Sequence, residues 1–110
     1  MRSSQRGEDS DAHVELDRVV ERLRTMPLAQ LAAAWPPFAS RAHGARALAQ
    51  EFADRAAEIA GAQRHTVPDA GDAAVGDQVA VTGRDLIGLD LSEAERAGIS
   101  RRLRDFRLAL

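Results

Sequence analysis

A chain of 110 residues with 29% charged side chains and a net charge of −2 has the size of one domain with a modest core, and carries no overall field that would draw it to nucleic acid or an anionic membrane. It contains no cysteine, which excludes disulfides, thiolate metal sites, iron–sulfur clusters and thiol nucleophiles together. All fifteen basic residues are arginines, so Schiff-base chemistry and the lysine of a phosphate-binding loop are excluded as well.

The N-terminal run MRSSQRGEDSDAH lacks the apolar core of a secretory signal, and no stretch approaches the roughly 20 apolar residues of a membrane span. The expectation is a cytoplasmic protein without membrane contact. Residues 1–10 are polar and aperiodic, which predicts a disordered lead before a single helical domain over 11–110. From Asp11 to about Arg24 the pattern is helical: Leu16, Val19, Val20 and Leu23 share one side, and Glu15, Arg18, Glu21 and Arg24 form a ladder spaced by three. Thr25 is placed to cap a short following helix, with Pro27 tolerated in its first turn. That helix, PLAQLAAAW, runs to Pro36-Pro37, where the chain must turn, because proline disfavours helical geometry in the residue before it.

Phe38 to Ala60 is the longest unbroken helical pattern. Phe38, Ala42, Ala45, Leu48, Ala49, Phe52, Ala56 and Ile59 fall on one side, an apolar seam of alanines and two rings that calls for partner helices. Gly61 is placed to close it in a left-handed conformation. A loop with Pro68 and Gly71 follows. The segment 74–88 is open to two readings. As a strand it offers only Val79 and Val81 in alternation; as a helix it puts Val75, Val79, Thr82, Gly83 and Leu86 on one side and Asp77 and Arg84 opposite, which explains more residues. The helix is preferred, and Gly83 on its inner side then predicts a close helix crossing. Asp90 with Glu93, or Ser92 with Glu95, supplies a capping box for a last helix whose stripe is Ile99, Leu103, Phe106 and Leu110. The expected fold is all-α: a small antiparallel helical bundle of about four helices plus a short one.

Candidate chemistry is sparse. His13, Asp17 and Glu21 share a helix side without any metal-binding motif, which reads as a solvated face, so no metal or other cofactor is expected. Ser40 and His43 lie one turn apart, yet no orienting group or oxyanion hole accompanies them, and enzyme is the weaker class. Trp35 and Phe38 flank the Pro-Pro corner and are expected to plug one end of the core rather than stack on a ligand. Val14, Val81 and Leu108 fall roughly opposite the apolar stripes, so a shared patch would make them an interface with a second copy or with a protein partner. In the last helix Arg96, Arg102 and Arg107 flank the stripe, where they can cover the core edge and pair with carboxylates, while Arg101 and Arg104 point away.

The leading expectation is therefore a small soluble accessory or interaction protein without catalysis, acting through a packing surface with itself or a protein partner. The alternative is a small nucleic-acid-associated regulator using Arg101 and Arg104; less favoured is a small-molecule binder using a groove near Trp35, Phe38 and Gly83. The run VGDQVAVTGRDLIG, beginning at Val75, resembles a segment of short uncharacterised proteins of high-GC actinobacteria, which are similar also around the Pro-Pro corner and the alanine-rich helix. The resemblance covers most of residues 15–110; it implies an uncharacterised bacterial family and assigns no activity, cofactor or site residue.

Overall fold

The computed structural model describes the backbone of residues 2–110 and side chains from Asp11 onward. Five helices make up the fold: α1 Arg2–Thr25, α2 Leu28–Ala32, α3 Arg41–Ala60, α4 Val75–Ile87 and α5 Glu93–Ala109, with a 3₁₀ turn at Asp72–Ala74 before α4. The all-α class and the count of four main helices with a short one agree with the sequence reading, and residues 75–87 are helical. The disordered lead expected at residues 1–10 falls outside the residues whose side chains are described.

The helix ends follow local chemistry, with two corrections. Pro27, not Thr25, occupies the N-cap position of α2. The Thr25 hydroxyl instead donates back to the Glu21 carbonyl at 2.8 Å, a bond available to a threonine in the last turn of its own helix. Helix α3 begins at Arg41 rather than Phe38, because Ser40 is its N-cap and accepts the His43 N–H at 3.1 Å. Phe38 sits before it, paired with Trp35 in an isolated backbone bridge. At the other end Gly61 adopts φ +65°, and Gly61 and Ala62 donate to Glu58 and Ala57, satisfying carbonyls that the last turn leaves free. Helix α5 opens on the Ser92–Glu95 capping box.

The close helix pairs are α3 with α4, α4 with α1, and α1 with α5. Leu23 packs near Gly76 and Leu16 near Gly83, so α1 and α4 run in opposite directions. Glu15 of α1 meets Arg107 of α5 and Asp11 lies beside Ser100 and Arg104, so those two run the same way. Between α3 and α4 the chain returns along α3 as an extended strap. The Gln50 amide holds it, donating to the His65 carbonyl at 2.9 Å and accepting from Val67 N–H at 2.7 Å, and Arg46 pairs with Asp69 at 3.0 Å. This long crossover lets α3 and α4 start at the same end and lie side by side.

The core is one cluster in which Leu16, Val19, Leu48, Val75, Val79 and Leu103 are fully buried. Its tightest crossing is the one that Gly83 predicted. A Cβ built there would stand 2.6 and 3.0 Å from the two end methyls of Leu16, so Leu16, which is fully buried, would have to shift within the core. Gly83→Ala is expected to destabilise the fold by up to about 2 kcal/mol, the overpacking cost of about 1–3 kcal/mol less the gain of about 1 kcal/mol in helix propensity. Combining it with Leu16→Val should recover part of that loss; urea unfolding of the two single variants and the double variant measures both effects.

Candidate functional site

The series of close pairs ends on α3 at one side and α5 at the other, and these two helices face each other across a surface groove of about 670 Å³. Its floor is apolar: Phe52 from α3, Leu86 from α4, and Ile99 from α5. Ala94 and Gly98 form the low part of the α5 wall, while Glu51, Asp54, Arg55 and Glu58 stand along α3, and Arg64 sits at the start of the strap. Local structure accounts for this placement. Phe52 belongs to the seam of α3, and Ala94, Gly98 and Ile99 of α5 line the groove opposite it.

Two ion pairs span the groove. The Arg102 Nε donates to Glu51 at 3.0 Å, and Arg55 lies 3.8 Å from Glu95 and 3.7 Å from Glu58. Arg55, Arg102 and Glu51 are each about half exposed, so such pairs contribute at most about 1 kcal/mol apiece and part readily. Phe52 and Leu86 lie beneath them at 2% and 1% exposure.

The residues singled out from sequence are distributed as follows. Trp35 and Phe38 are half-buried and stack at 5.9 Å. Trp35 also meets Phe106 edge-on at 5.4 Å, covers Gly44, and donates its indole N–H to the Ala109 carbonyl at 3.3 Å. Trp35 packs against the core with Phe38 stacked on it, and Gly83 lies elsewhere, under Leu16, so no groove joins the three. Val14, Val81 and Leu108 are 44%, 59% and 70% exposed, and each belongs to a different helix. Val14 lies in a shallow depression with Arg18 and Arg22, and Val81 in a cleft with Val67 and Pro68 under the strap; Leu108 lines neither. Leu28, 61% exposed, is a further outward apolar residue that the sequence reading passed over.

Arg107 pairs with Glu15 at 3.0 Å and Arg102 with Glu51, as their flanking positions suggested. Arg101 and Arg104 are exposed, have no carboxylate partner among the described residues, and share a cleft of about 230 Å³ with Asp11 and the buried Ser100. The Ser40 oxygen is engaged in capping, and His43 is exposed beside the Phe38 ring, so the two do not form a nucleophile and base. Among the described residues no group of three His, Asp or Glu side chains is arranged to hold a metal ion. Nor is any helix there long and apolar enough to cross a membrane. Sequence reasoning missed the groove itself, since it arises from two helices some 50 residues apart. It also missed Gln50, whose role on the strap has no periodic signature.

The chain matches no protein-family model, no curated protein and no solved structure.

Glu95 stands on the groove edge and serves α5 as well. The Ser92 backbone N–H donates to its carboxylate at 3.1 Å; that bond first, then the Ser92 side chain, holds its pKa below the ordinary carboxylate range, with Arg55 adding to the effect against a small opposing contribution from burial. Because the folded carboxyl is the stronger acid, its stabilisation is present above the unfolded pKa and is lost as pH falls through the lowered folded value. Carbon-detected NMR titration should show Glu95 titrating below the ordinary carboxylate range, and Ser92→Ala, which removes the side-chain half of the cap, should raise it part of the way back.

Proposed function

We propose that this protein is a non-catalytic interaction module that offers the groove between α3 and α5 to a protein partner. One observation carries the reading: these two main helices are joined across the groove by exposed side-chain ion pairs, over an apolar floor, while each of them packs closely on another helix. Concave apolar surfaces with a polar rim are where proteins accept helices and extended segments. Val14, Leu28 and Leu108 are single exposed apolar side chains of the ordinary kind, while Val81 lines an apolar cleft with Ala53, Val67 and Pro68 between the strap and α4. The test is affinity purification of the tagged full chain from its own host. Partners held by the parent chain should be lost with Ala94→Trp, which fills the groove from an exposed position, and kept with Val81→Asp, with circular dichroism showing both variants folded. An identical set of bound proteins for both variants, or none for the parent chain, would contradict the reading.

A second reading, a nucleic-acid regulator, draws on the exposed Arg101 and Arg104, which have no carboxylate partner among the described residues. Two cations correspond to a salt slope of only about −2 on duplex DNA, so affinity at ordinary ionic strength would be slight. Retention on DNA that falls with salt and vanishes in Arg101→Ala/Arg104→Ala would favour this reading; the expected result is that the double variant changes nothing.

A further inference from the structure

The side of α5 turned away from the groove carries a smaller cleft of about 230 Å³, lined from α5 by Ala97, Ser100, Arg101 and Arg104 and from α1 by Asp11. The four α5 positions follow one another at spacings of one, three or four residues and share one face of the helix. Two observations set this cleft apart from ordinary surface.

The first is Ser100. It is 5% exposed, and its hydroxyl has no hydrogen-bond partner. A hydroxyl inside a helix can turn back to a carbonyl one turn earlier, as Thr25 does to Glu21 and Thr82 to Gln78, each at 2.8 Å. Ser100 makes no such bond, and a buried hydroxyl left unpaired carries a desolvation cost that a ligand oxygen would relieve. The second observation is the state of the arginines. Arg102 and Arg107 of the same helix are tied to Glu51 and Glu15. Arg101 and Arg104 are exposed and have no carboxylate partner among the described residues, although Asp11 lines the cleft with them. The cleft thus offers two guanidinium forks, one unpaired hydroxyl and one carboxylate.

That combination selects a chemistry. Guanidinium groups match the paired oxygens of carboxylates, sulfate and phosphoryl groups. A carboxylate has two oxygens, which a single fork already occupies. Sulfate and phosphodiesters have no proton to give near neutral pH, so either would set its charge against Asp11. A phosphate or phosphomonoester in its singly protonated form has oxygens for all three donors and a P–O–H for Asp11. The second pKa of a monoester is about 6, which keeps that form within reach near neutral pH.

We propose that this cleft binds the singly protonated phosphoryl group of inorganic phosphate or of a small phosphomonoester. Arg101, Arg104 and the Ser100 hydroxyl donate to its oxygens, and Asp11 accepts from its P–O–H. The site is separate from the α3–α5 groove and independent of the interaction reading.

The test is an NMR titration of the isotope-labelled full chain at constant ionic strength, following the backbone amides of residues 97–104 and the Arg101 and Arg104 side-chain Nε–H signals. The probes are inorganic phosphate, methyl phosphate, sulfate and dimethyl phosphate. Saturable shifts are expected with the first two, and binding at least about tenfold weaker with sulfate and dimethyl phosphate, which meet Asp11 as like charges. Methyl phosphate binding more tightly than phosphate supports a monoester as occupant, and the reverse supports free phosphate. Arg104→Gln should weaken phosphate binding about tenfold and Ser100→Ala about fivefold, the losses of a charge-assisted and of an ordinary hydrogen bond. The Tm of Ser100→Ala should be no lower than that of the parent chain, because alanine is the better helix former and no internal bond is lost. Asp11→Asn should bring sulfate to within about twofold of phosphate by removing the like charge. Shifts that stay linear in concentration, equal affinity for phosphate and sulfate in the parent chain, or full affinity in Ser100→Ala overturn the proposal. A lowered Tm in Ser100→Ala assigns the hydroxyl to the fold and overturns it as well.

Discussion

One turn of α1 holds the main helices in register. Leu16 lies against the bare backbone of Gly83 and so fixes how near α4 can come. The preceding residue, Glu15, is 8% exposed and takes Arg107 of α5 at 3.0 Å along with Arg18 of its own helix at 3.3 Å. The two contacts differ in kind. The first is a close approach with no polar atoms to satisfy, and its energy is in packing. The second is a largely buried ion pair, whose desolvation offsets much of its attraction; what it supplies is position, because another register of α1 would take Glu15 away from Arg107. A shift of α1 by one turn would lose the glycine and the carboxylate together.

The strap is the other constraint on arrangement. Helices α3 and α4 adjoin in sequence and in space and start at the same end, so the chain has to travel the length of α3 between them. It does so in extended form, with its backbone tied by the Gln50 amide, by Gln78 to the Pro68 carbonyl at 2.7 Å, and by Arg46 to Asp69. Each such bond is worth about 1 kcal/mol, and most strap residues are exposed. The strap is accordingly the least secured stretch between α3 and α4, although it determines which way α4 points.

How much of this was legible in the sequence depends on the range of the interaction. The capping box at Ser92, the left-handed Gly61, the helical period of residues 75–87 and the buried Gly83 are all written within a few residues, and each was readable. The start of α3 was misplaced by three residues because Phe38 fits the helical period of the seam, while Ser40, the residue that ends the turn, gives only a weak local signal. Thr25 was misjudged for a related reason: a hydroxyl near a helix end can cap forward or bond backward, and here it does the latter. The long-range pairs, Glu15 with Arg107 and Glu51 with Arg102, span 92 and 51 residues. Periodicity identified the arginines as flanking the stripe, yet nothing local names their partners. Trp35 packs against the core and carries Phe38 on its face, a placement that large rings beside a chain reversal favour.

The groove is a consequence of how charge and side-chain size are distributed around the bundle. Where α1 meets α4, the small residue faces a leucine and the two helices close upon each other. Where α5 faces α3, the small residues Ala94 and Gly98 face long charged side chains, and Glu51, Arg55, Glu95 and Arg102 stand between the helices as bridges that reach without drawing the backbones together. Closing that side would bury those ions, at a cost that exposed pairs of this kind do not recover. A helix face built for close approach thus stands opposite one built to remain in water. The same four helices that complete the core elsewhere leave Phe52 and Leu86, at 2% and 1% exposure, beneath the exposed side chains that span this groove.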